Sequence, residues 1–499
     1  VIPDNIQEEK RQFLQYVASY NSNASLDLIS KAYDFCFIYH AGQLRRSKEP
    51  YYTHPIEVSR EVVKLHMDDT TIAVALLHDI LEDTSITKDI LIKEFSLEVA
   101  ELVDGVTKLE KIKFKQEQIR QVENFRKLFL ALSKDVRVLI VKLCDRLHNM
   151  RTLLYHDNEE KQKRIALETL EIYAPLAERV GLQNIKNELQ DISFMVLNPE
   201  IYSQIKESIN KVKKDFESSN IVEDVIDEIK SVMQKNDIIC DVLGREKYPF
   251  SIWRKMQNRS ISFEDLSDIF AFRIIVSNVS DCYRALGAIH LSYYAVPSCF
   301  TDYISTPKIN NYQSIHTKIM GPKKNIIDIQ IRTQKMNLEA EYGLAAHWRY
   351  KQSTDVDSKQ IMQLKSAWVN RVLKILEGSL NSENVHEVMR AAKIEIKEDT
   401  IFVFTDKGDI LDLPKGSTVL DFAFAIDVNK GIYFDYAAVN GEKVGINYVI
   451  QNGDKVKIFT SNFKTITANY LNCVITGKAR DAILKIVSNE MANIKAIRD

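Results

Sequence analysis

The chain has 499 residues, 45% hydrophobic and 27% charged, with only 15 Gly and 10 Pro. That composition excludes a disordered, collagen-like or membrane-embedded chain, and at about 100–200 residues per domain it excludes a single small module. Lys and Arg number 67 against 69 Asp and Glu, a net charge of -2, so any site for a polyanion must be local rather than a property of the whole surface.

Six scattered cysteines (Cys36, Cys144, Cys240, Cys282, Cys299, Cys473) form no CxxC, which argues against a thiolate zinc site or a disulfide scaffold and for a reducing cytoplasmic location. The longest run free of formal charge, Ala285 to Thr301, includes His290, Ser292, Pro297 and Ser298 and falls short of the roughly 20 apolar residues of a membrane span. Neither a secretory leader at Val1 nor a membrane partner is expected.

From Glu8 to about Leu197, apolar residues recur at three- and four-residue spacing, as in Val136, Leu139, Ile140 and Leu143, which predicts packed helices over residues 1–200. Residues 201–352 begin with a charged helical lead-in and then carry strand-like runs, Ile269 to Val276 and Ile326 to Ile331, around a helical stretch from Cys282 to His290. This is the pattern of an α/β sheet domain. Residues 353–398 read as a linker with charged helices at Gln360 to Leu376 and Asn384 to Ala392. Residues 399–461 carry short strands joined at Asp406-Lys407-Gly408, Asn440-Gly441 and Asn452-Gly453. Residues 462–499 end in an amphipathic helix, Ala479 to Ile497.

Three fragments of the helical block concentrate nitrogen and oxygen ligands: Tyr52-Thr53-His54-Pro55, the run from His78 to Thr84, and the run from Lys142 to Asn149. On a helix, residues four apart share a face, so His78 lies over Glu82 and Asp79 over Asp83. His54 and Asp145 complete a set of two imidazoles and two carboxylates. Such a set suits Mn²⁺, Fe²⁺ or Zn²⁺, ions that acidify water towards neutrality. Each residue taken alone is more simply a satisfied core histidine or acid. Together they place polar groups inside apolar helical runs, where burial without a partner is costly.

These residues resemble the HD phosphohydrolase superfamily. The wider strings Gln43 to Ser47, His78 to Thr84, Asp104 to Leu109 and Asp145 to Thr152 are similar to the RelA/SpoT homologue family of stringent-response enzymes. The resemblance implies that His54, His78, Asp79 and Asp145 hold Mn²⁺ and that Glu82 and Asp83 position or activate water. It further implies that Arg45, Arg46, Asn149 and Thr152 meet a guanine nucleotide, and that the reaction removes the 3′ pyrophosphate of (p)ppGpp.

A second group of residues surrounds Gly244 to Met256, where four cations flank Ser251. Alternation in Ile327 to Arg332 sends Asp328, Gln330 and Arg332 to one face of a strand and the isoleucines to the core. These strings, with Pro307 to Thr317 and Glu341 to Trp348, look like the synthetase domain of the same family, which transfers pyrophosphate from ATP to GDP or GTP. By that likeness Arg245, Lys247, Ser251 and Lys255 bind the donor phosphates, Asp268 binds Mg²⁺, and Asp328 is catalytic. Lys308, Asn310, Tyr312 and His316 bind the acceptor, with Tyr312 stacked on guanine.

Two departures weaken that likeness. Cys299-Phe300-Thr301-Asp302 stands where bifunctional members have Arg-Phe-Lys-Asp, and Asp328 stands where the family has Glu. The expectation is an intact hydrolase joined to an attenuated synthetase, ahead of a fully bifunctional enzyme, a noncatalytic sensor of the alarmone or tRNA, or an HD nucleotidase with another substrate.

Residues Ile401 to Ile426 resemble a TGS domain, a β-grasp module that in long family members touches tRNA on the ribosome. Here Asp427 and Ile432 replace the family's histidines, which makes contact with tRNA or the ribosome a weak expectation. The fold class implied is multidomain, mainly α plus α/β: an all-helical HD-type hydrolase, a mixed-sheet nucleotidyltransferase-like synthetase and a small β-grasp domain.

Overall fold

The computed structural model describes residues 3–107, 129–130, 132–217, 221–263, 266, 270–297, 299–307, 312–321, 326–343, 369–370, 372–373, 400–480, 482–483 and 486. The chain divides into two compact units, residues 1–107 with 137–358, and residues 108–136 with 359–499. No helix among the described residues is long and apolar enough to cross a membrane. The linker helices expected between 360 and 392, most of the C-terminal helix, and Asp268, Ile269, Lys308 and Asn310 lie outside the described residues.

The first unit opens with seven helices: α1 (Asp4–Tyr20), α2 (Leu26–Tyr39), α3 (Thr53–Lys64), α4 (Asp69–Leu77), α5 (Ile80–Asp83), α6 (Lys88–Glu94) and α7 (Leu97–Thr107). Helix α4 is apolar all round, and every residue from Thr71 to Leu77 is buried, as a central helix must be. Asp68 caps its start, accepting from the Thr71 N–H at 2.7 Å. The run His78 to Asp83, read from spacing as one helix, is broken after Leu77. His78 ends α4 and Asp79 begins α5.

Helix α8 (Val136–Arg151) packs in the same block, with Val138 to Asp145 buried without interruption. Then follow α9 (Glu159–Glu168), a π turn (Thr169–Tyr173), α10 (Ala174–Arg179), α11 (Gln183–Leu197), α12 (Pro199–Glu217) and α13 (Ile221–Lys235).

The α/β part of this unit is a six-stranded mixed sheet of β1 (Cys240–Glu246), β2 (Phe270–Val276), β3 (Tyr294–Ala295), β4 (Thr301–Asp302), β5 (Ile315–Met320) and β6 (Ile326–Thr333), in the order β1-β2-β6-β5-β3 with β4 also on β5. Strands β2 and β6 are parallel and the other pairs antiparallel. Phe272, Ile274, Ile327, Ile329 and Ile331 face the core with α15 (Val279–Ser292), whose Cys282, Ala285 and Ile289 are buried.

Alternation sends Asp328, Gln330 and Arg332 to the opposite face, as read from the sequence. The register aligns Arg245, Ala271, Asp328 and Lys318 in one row across four strands, and Leu243, Arg273, Gln330 and His316 in the next. The basic cluster is divided between two elements: Gly244 to Glu246 end β1, and Pro249 begins α14 (Pro249–Arg259). Proline suits that first helical position because its missing N–H has no partner there in any case.

Within this unit the helical block and the sheet share a core. Phe194 of α11 stacks on Trp253 of α14 at 4.9 Å, and the Asp191 carboxylate accepts from the Phe250 N–H at 3.0 Å, closing the N-terminus of α14. Gly343, just after α16 (Gln334–Tyr342), lies against Gly181. Both have positive φ, and a Cβ on Gly181 would fall 2.7 Å from the Gly343 Cα.

In the second unit, β7 (Thr400–Thr405), β8 (Ile410–Pro414), β9 (Phe434–Val439), β10 (Glu442–Val444) and β11 (Lys455–Thr460) form a sheet ordered β10-β9-β11-β7-β8. Helix α17 (Val419–Ile426) packs on one face, with a capping box between Thr418 and Asp421 at its start. Helix α18 (Val428–Ile432) follows. Asn440 and Gly441, both at positive φ, make the β9–β10 hairpin turn that the Asn-Gly pair predicts. The Asp421 carboxylate is wholly buried and accepts from the N–H groups of Thr418, Ile475 and Thr476, tying the segment after the sheet back onto the domain.

Candidate functional site

Three ligand atoms, one each from His54, His78 and Asp145, lie within 4.8 Å of one another, and all three residues are buried. They come from the first turn of α3, the end of α4 and the middle of α8. Asp79 joins them from the α4–α5 junction. Its carboxylate lies 3.1 Å from His78 Nε2 and 3.5 Å from His54 Nε2, and Asp145 Oδ1 lies 3.2 Å from His54 Nε2.

The imidazoles are oriented for this. His78 Nδ1 faces the Ala75 carbonyl at 2.8 Å, so Nδ1 carries a proton and Nε2 points into the cluster. That Nε2 is buried and makes no hydrogen bond. A buried ring nitrogen without a hydrogen-bond partner, beside two carboxylates, is a position a divalent cation would complete, and the N/N/O/O set fits a borderline ion.

The electrostatics agree. Burial works against a charged His78, yet Asp79 and Asp145 lift its pKa to about 9. Burial likewise opposes ionised Asp79 and Asp145, but His78 and His54 hold Asp79 below the ordinary carboxylate range, and Lys142 with the two imidazoles does so for Asp145. Two carboxylates thus stay ionised inside an apolar helical block, balanced without an ion by Lys142 and a protonated His78, whose proton a bound cation would displace.

Around these four residues stand groups that spacing did not single out. Lys142 reaches Asp145 Oδ2 at 2.7 Å, with both side chains buried. The Tyr51 hydroxyl lies 2.9 Å from Asp79 Oδ2 and 2.6 Å from Asp83 Oδ2. His148 Nδ1 lies 2.8 Å from His54 Nδ1 and 3.1 Å from Arg45 Nη1. Burial, then His54 and Arg45, bring the pKa of His148 down to about 3, leaving a neutral ring.

Of the residues expected to meet a nucleotide, Arg45 is half-buried and Arg46 exposed. Arg45 donates through Nη2 to Asn149 Oδ1 at 2.9 Å, and Asn149 Nδ2 donates to Asp145 Oδ1 at 2.6 Å. Arg46 contacts His156 at 2.8 Å. The Thr152 hydroxyl bonds to the carbonyls of His148 and Asn149 at the end of α8. Glu82 is half-buried and Asp83 exposed on α5, beside the ligands.

On the polar face of the sheet, Lys247 pairs with Asp328 Oδ2, and Lys318 approaches Asp328 Oδ1 at 3.3 Å. The Tyr312 hydroxyl lies 2.8 Å from His316 Nε2, and the Arg332 guanidinium sits 5.8 Å from the Tyr312 ring centroid. Arg332 is 2% exposed, and burial lowers its pKa to about 10. Burial and the nearby Arg273 also lower Arg245. Arg273 is held by Asn337 at 3.0 Å and Glu341 at 2.6 Å, both on α16. Ser251 and Lys255 are half-buried on α14.

Of the substituted segment, Thr301 pairs with His316 in the β4–β5 register. Asp302 folds its own turn, accepting from the Ile304 and Ser305 N–H groups at 2.8 and 3.0 Å. In the second unit Asp427 caps α18, accepting from Asn429 N–H at 2.7 Å. Ile432 packs against the core.

Comparison with known families follows this order of parts. A model of the HD domain matches residues 32–183, a model of the region found in RelA / SpoT proteins matches residues 244–355, and a model of the TGS domain matches residues 401–460. The chain is 42% identical over 478 residues to a Myxococcus xanthus protein named GTP pyrophosphokinase, covering 95% of this chain and 62% of that one. It is 40% identical over 475 residues to GTP pyrophosphokinase rsh of Brucella ovis, again 95% and 62%. Over 444 residues it is 40% identical to a Haemophilus influenzae protein named guanosine-3′,5′-bis(diphosphate) 3′-pyrophosphohydrolase, covering 89% and 65%. The chain thus spans a little under two thirds of the length of each of these relatives.

Proposed function

The chain belongs to the RelA/SpoT homologue family, and from that premise we propose that it is a metal-dependent 3′-pyrophosphohydrolase of (p)ppGpp, releasing pyrophosphate and GDP or GTP. The observation that carries this reading is the convergence of His54, His78 and Asp145 around a buried His78 Nε2 that has no hydrogen bond. His54, His78, Asp79 and Asp145 would hold the ion, Mn²⁺ by family resemblance. When bound, such an ion acidifies water and draws charge from a phosphoryl oxygen.

The chain's own residues supply the rest. Asp83, which accepts a hydrogen bond from Tyr51, and Glu82 on the same short helix would orient water and accept its proton. Arg45 and Arg46 present guanidinium forks to phosphate. A sensor that only bound the nucleotide would gain nothing from acidic groups crowded against its phosphates.

The synthetase half is read as attenuated. Both Asp328 oxygens face lysines, its side chain is one methylene shorter than the family's Glu, and neutral Cys299 and Thr301 stand in for two cations. The weaker phosphate field and the retracted carboxylate both act against in-line transfer. Mg²⁺ at Asp268 and acceptor contacts from Lys308 and Asn310 belong to this reading through resemblance alone. For the second unit, one face offers stacked Tyr436 and Phe459 at 4.5 Å with Lys443 4.0 Å above Tyr436, a surface suited to unpaired RNA bases. Contact with tRNA remains part of the proposal on that ground.

The test is incubation of ppGpp with Mn²⁺ and the protein, read against a His78→Ala, Asp79→Ala double variant. Pyrophosphate release is expected from the parent and not from the variant. Release that survives both substitutions would overturn the site, and rapid pyrophosphate transfer from ATP to GDP would overturn the attenuation.

A further inference from the structure

His148 contacts a proposed metal ligand and a proposed substrate residue at once. His54 turns Nε2 toward Asp145 and Asp79, so a metal at Nε2 leaves the proton on Nδ1, which needs an acceptor. For His78 that acceptor is a backbone carbonyl. For His54 it is His148 Nδ1, at 2.8 Å. The same His148 nitrogen takes a hydrogen bond from Arg45 Nη1 at 3.1 Å, and a guanidinium can only donate. One in-plane lone pair therefore faces two donors. A parallel connection runs from Arg45 Nη2 through Asn149 to Asp145.

We propose that His148 is a positioning residue that links Arg45 to the ligand His54, so that drawing Arg45 away onto an anion releases the His148 lone pair to His54 and tightens the hold on the metal. The proposal rests on the metal-site reading above. It follows from how outer groups tune a ligand: a better acceptor at Nδ1 fixes the ring and raises the basicity of Nε2. By reciprocity, a bound metal favours the arrangement in which Arg45 is free to meet phosphate.

The test needs no substrate. Mn²⁺ affinity is measured by calorimetry on the full chain and on His148→Ala, Arg45→Ala, the double variant and His148→Asn, with thermal unfolding of the metal-free proteins alongside. His148→Ala is expected to weaken Mn²⁺ by about 10- to 100-fold. Arg45→Ala, which removes the competing donor, is expected to tighten it about fivefold, the low end of such couplings, and the double variant to match His148→Ala. His148→Asn, whose amide oxygen takes the place of Nδ1, should recover most of the loss and serves if the alanine variant unfolds. Unchanged affinity in His148→Ala, or a double variant in which the Arg45→Ala gain persists, overturns the link while leaving the metal site standing. A parent protein that takes up no Mn²⁺ overturns the metal site and the link with it.

Discussion

Tyr51 has one phenolic proton and two carboxylates to satisfy, Asp79 and Asp83. Burial first, and then the negative charge of those carboxylates, push its ionisation far above the ordinary range, so it stays a neutral donor. It moderates the repulsion between the two carboxylates, one a proposed metal ligand and the other proposed to handle water. Tyr51→Phe should lower kcat for pyrophosphate release by about 10- to 100-fold, the usual effect of losing an outer-shell partner, with little change in KM. Steady-state kinetics decide it, and an unchanged kcat would show the bridge to be idle. On the sheet, Asp328→Glu combined with Cys299→Arg and Thr301→Lys should raise pyrophosphate transfer from ATP to GDP by up to about a hundredfold, the scale set by misplacing a catalytic group by about 1 Å. Thr301 lies opposite His316, so the restored lysine would add its charge where acceptor phosphates are expected. A triple variant no faster than the parent would mean that the loss lies elsewhere.

Helix α8 does two jobs. Its middle carries Asp145 and His148, and its last residue, Arg151, reaches Glu61 of α3 at 2.7 Å and Glu188 of α11 at 2.5 and 2.8 Å. Burial alone would raise Glu61, but hydrogen bonds from Lys64 and Arg151 hold it below its reference value of 4.5. A carboxylate depressed in the folded state stabilises fully above its unfolded pKa and loses that contribution as pH falls through the folded value. Glu61→Gln should therefore reduce stability by about 1–3 kcal/mol at pH 7. Urea unfolding should show the difference from the parent shrinking as pH drops below about 4.5.

The elements that spacing reveals are those whose pattern is local: the helical period of α4 and α8, the alternation that turns Asp328 outward, and the Asn440-Gly441 hairpin. The four proposed ligands stand out in the sequence because each is a polar group inside an apolar run. Tyr51, Lys142 and His148 were not, since their partners lie on other helices or, for Lys142, one turn away in a run that reads equally well as ordinary helix. The break between α4 and α5 also escaped notice, because neither glycine nor proline marks it.

At the scale of the whole molecule, continuity between distant stretches of chain rests on a few buried polar ties. Asp421 gathers Thr418 and the Ile475–Thr476 segment around one carboxylate. Asp421→Ala strands those N–H groups, at about 1–3 kcal/mol each if they stay buried. Hydrogen exchange should accelerate across residues 418–424 and 474–480 while the amides of α3, α4 and α8 exchange at parental rates. Acceleration spread equally over both compact units would rule out a local role for this tie.

The abutting backbones of Gly181 and Gly343 also constrain what evolution or a designer can do with the first unit. Even alanine at either position would drive a methyl group into main chain, which cannot swing aside as a side-chain tip can. A saturation library should return glycine at both sites, and no second-site change of side chain should rescue a loss at either. The helical block and the mixed sheet are fitted at that point like a mortise and tenon, so transplanting one onto a foreign partner would require both glycines to travel with the joint.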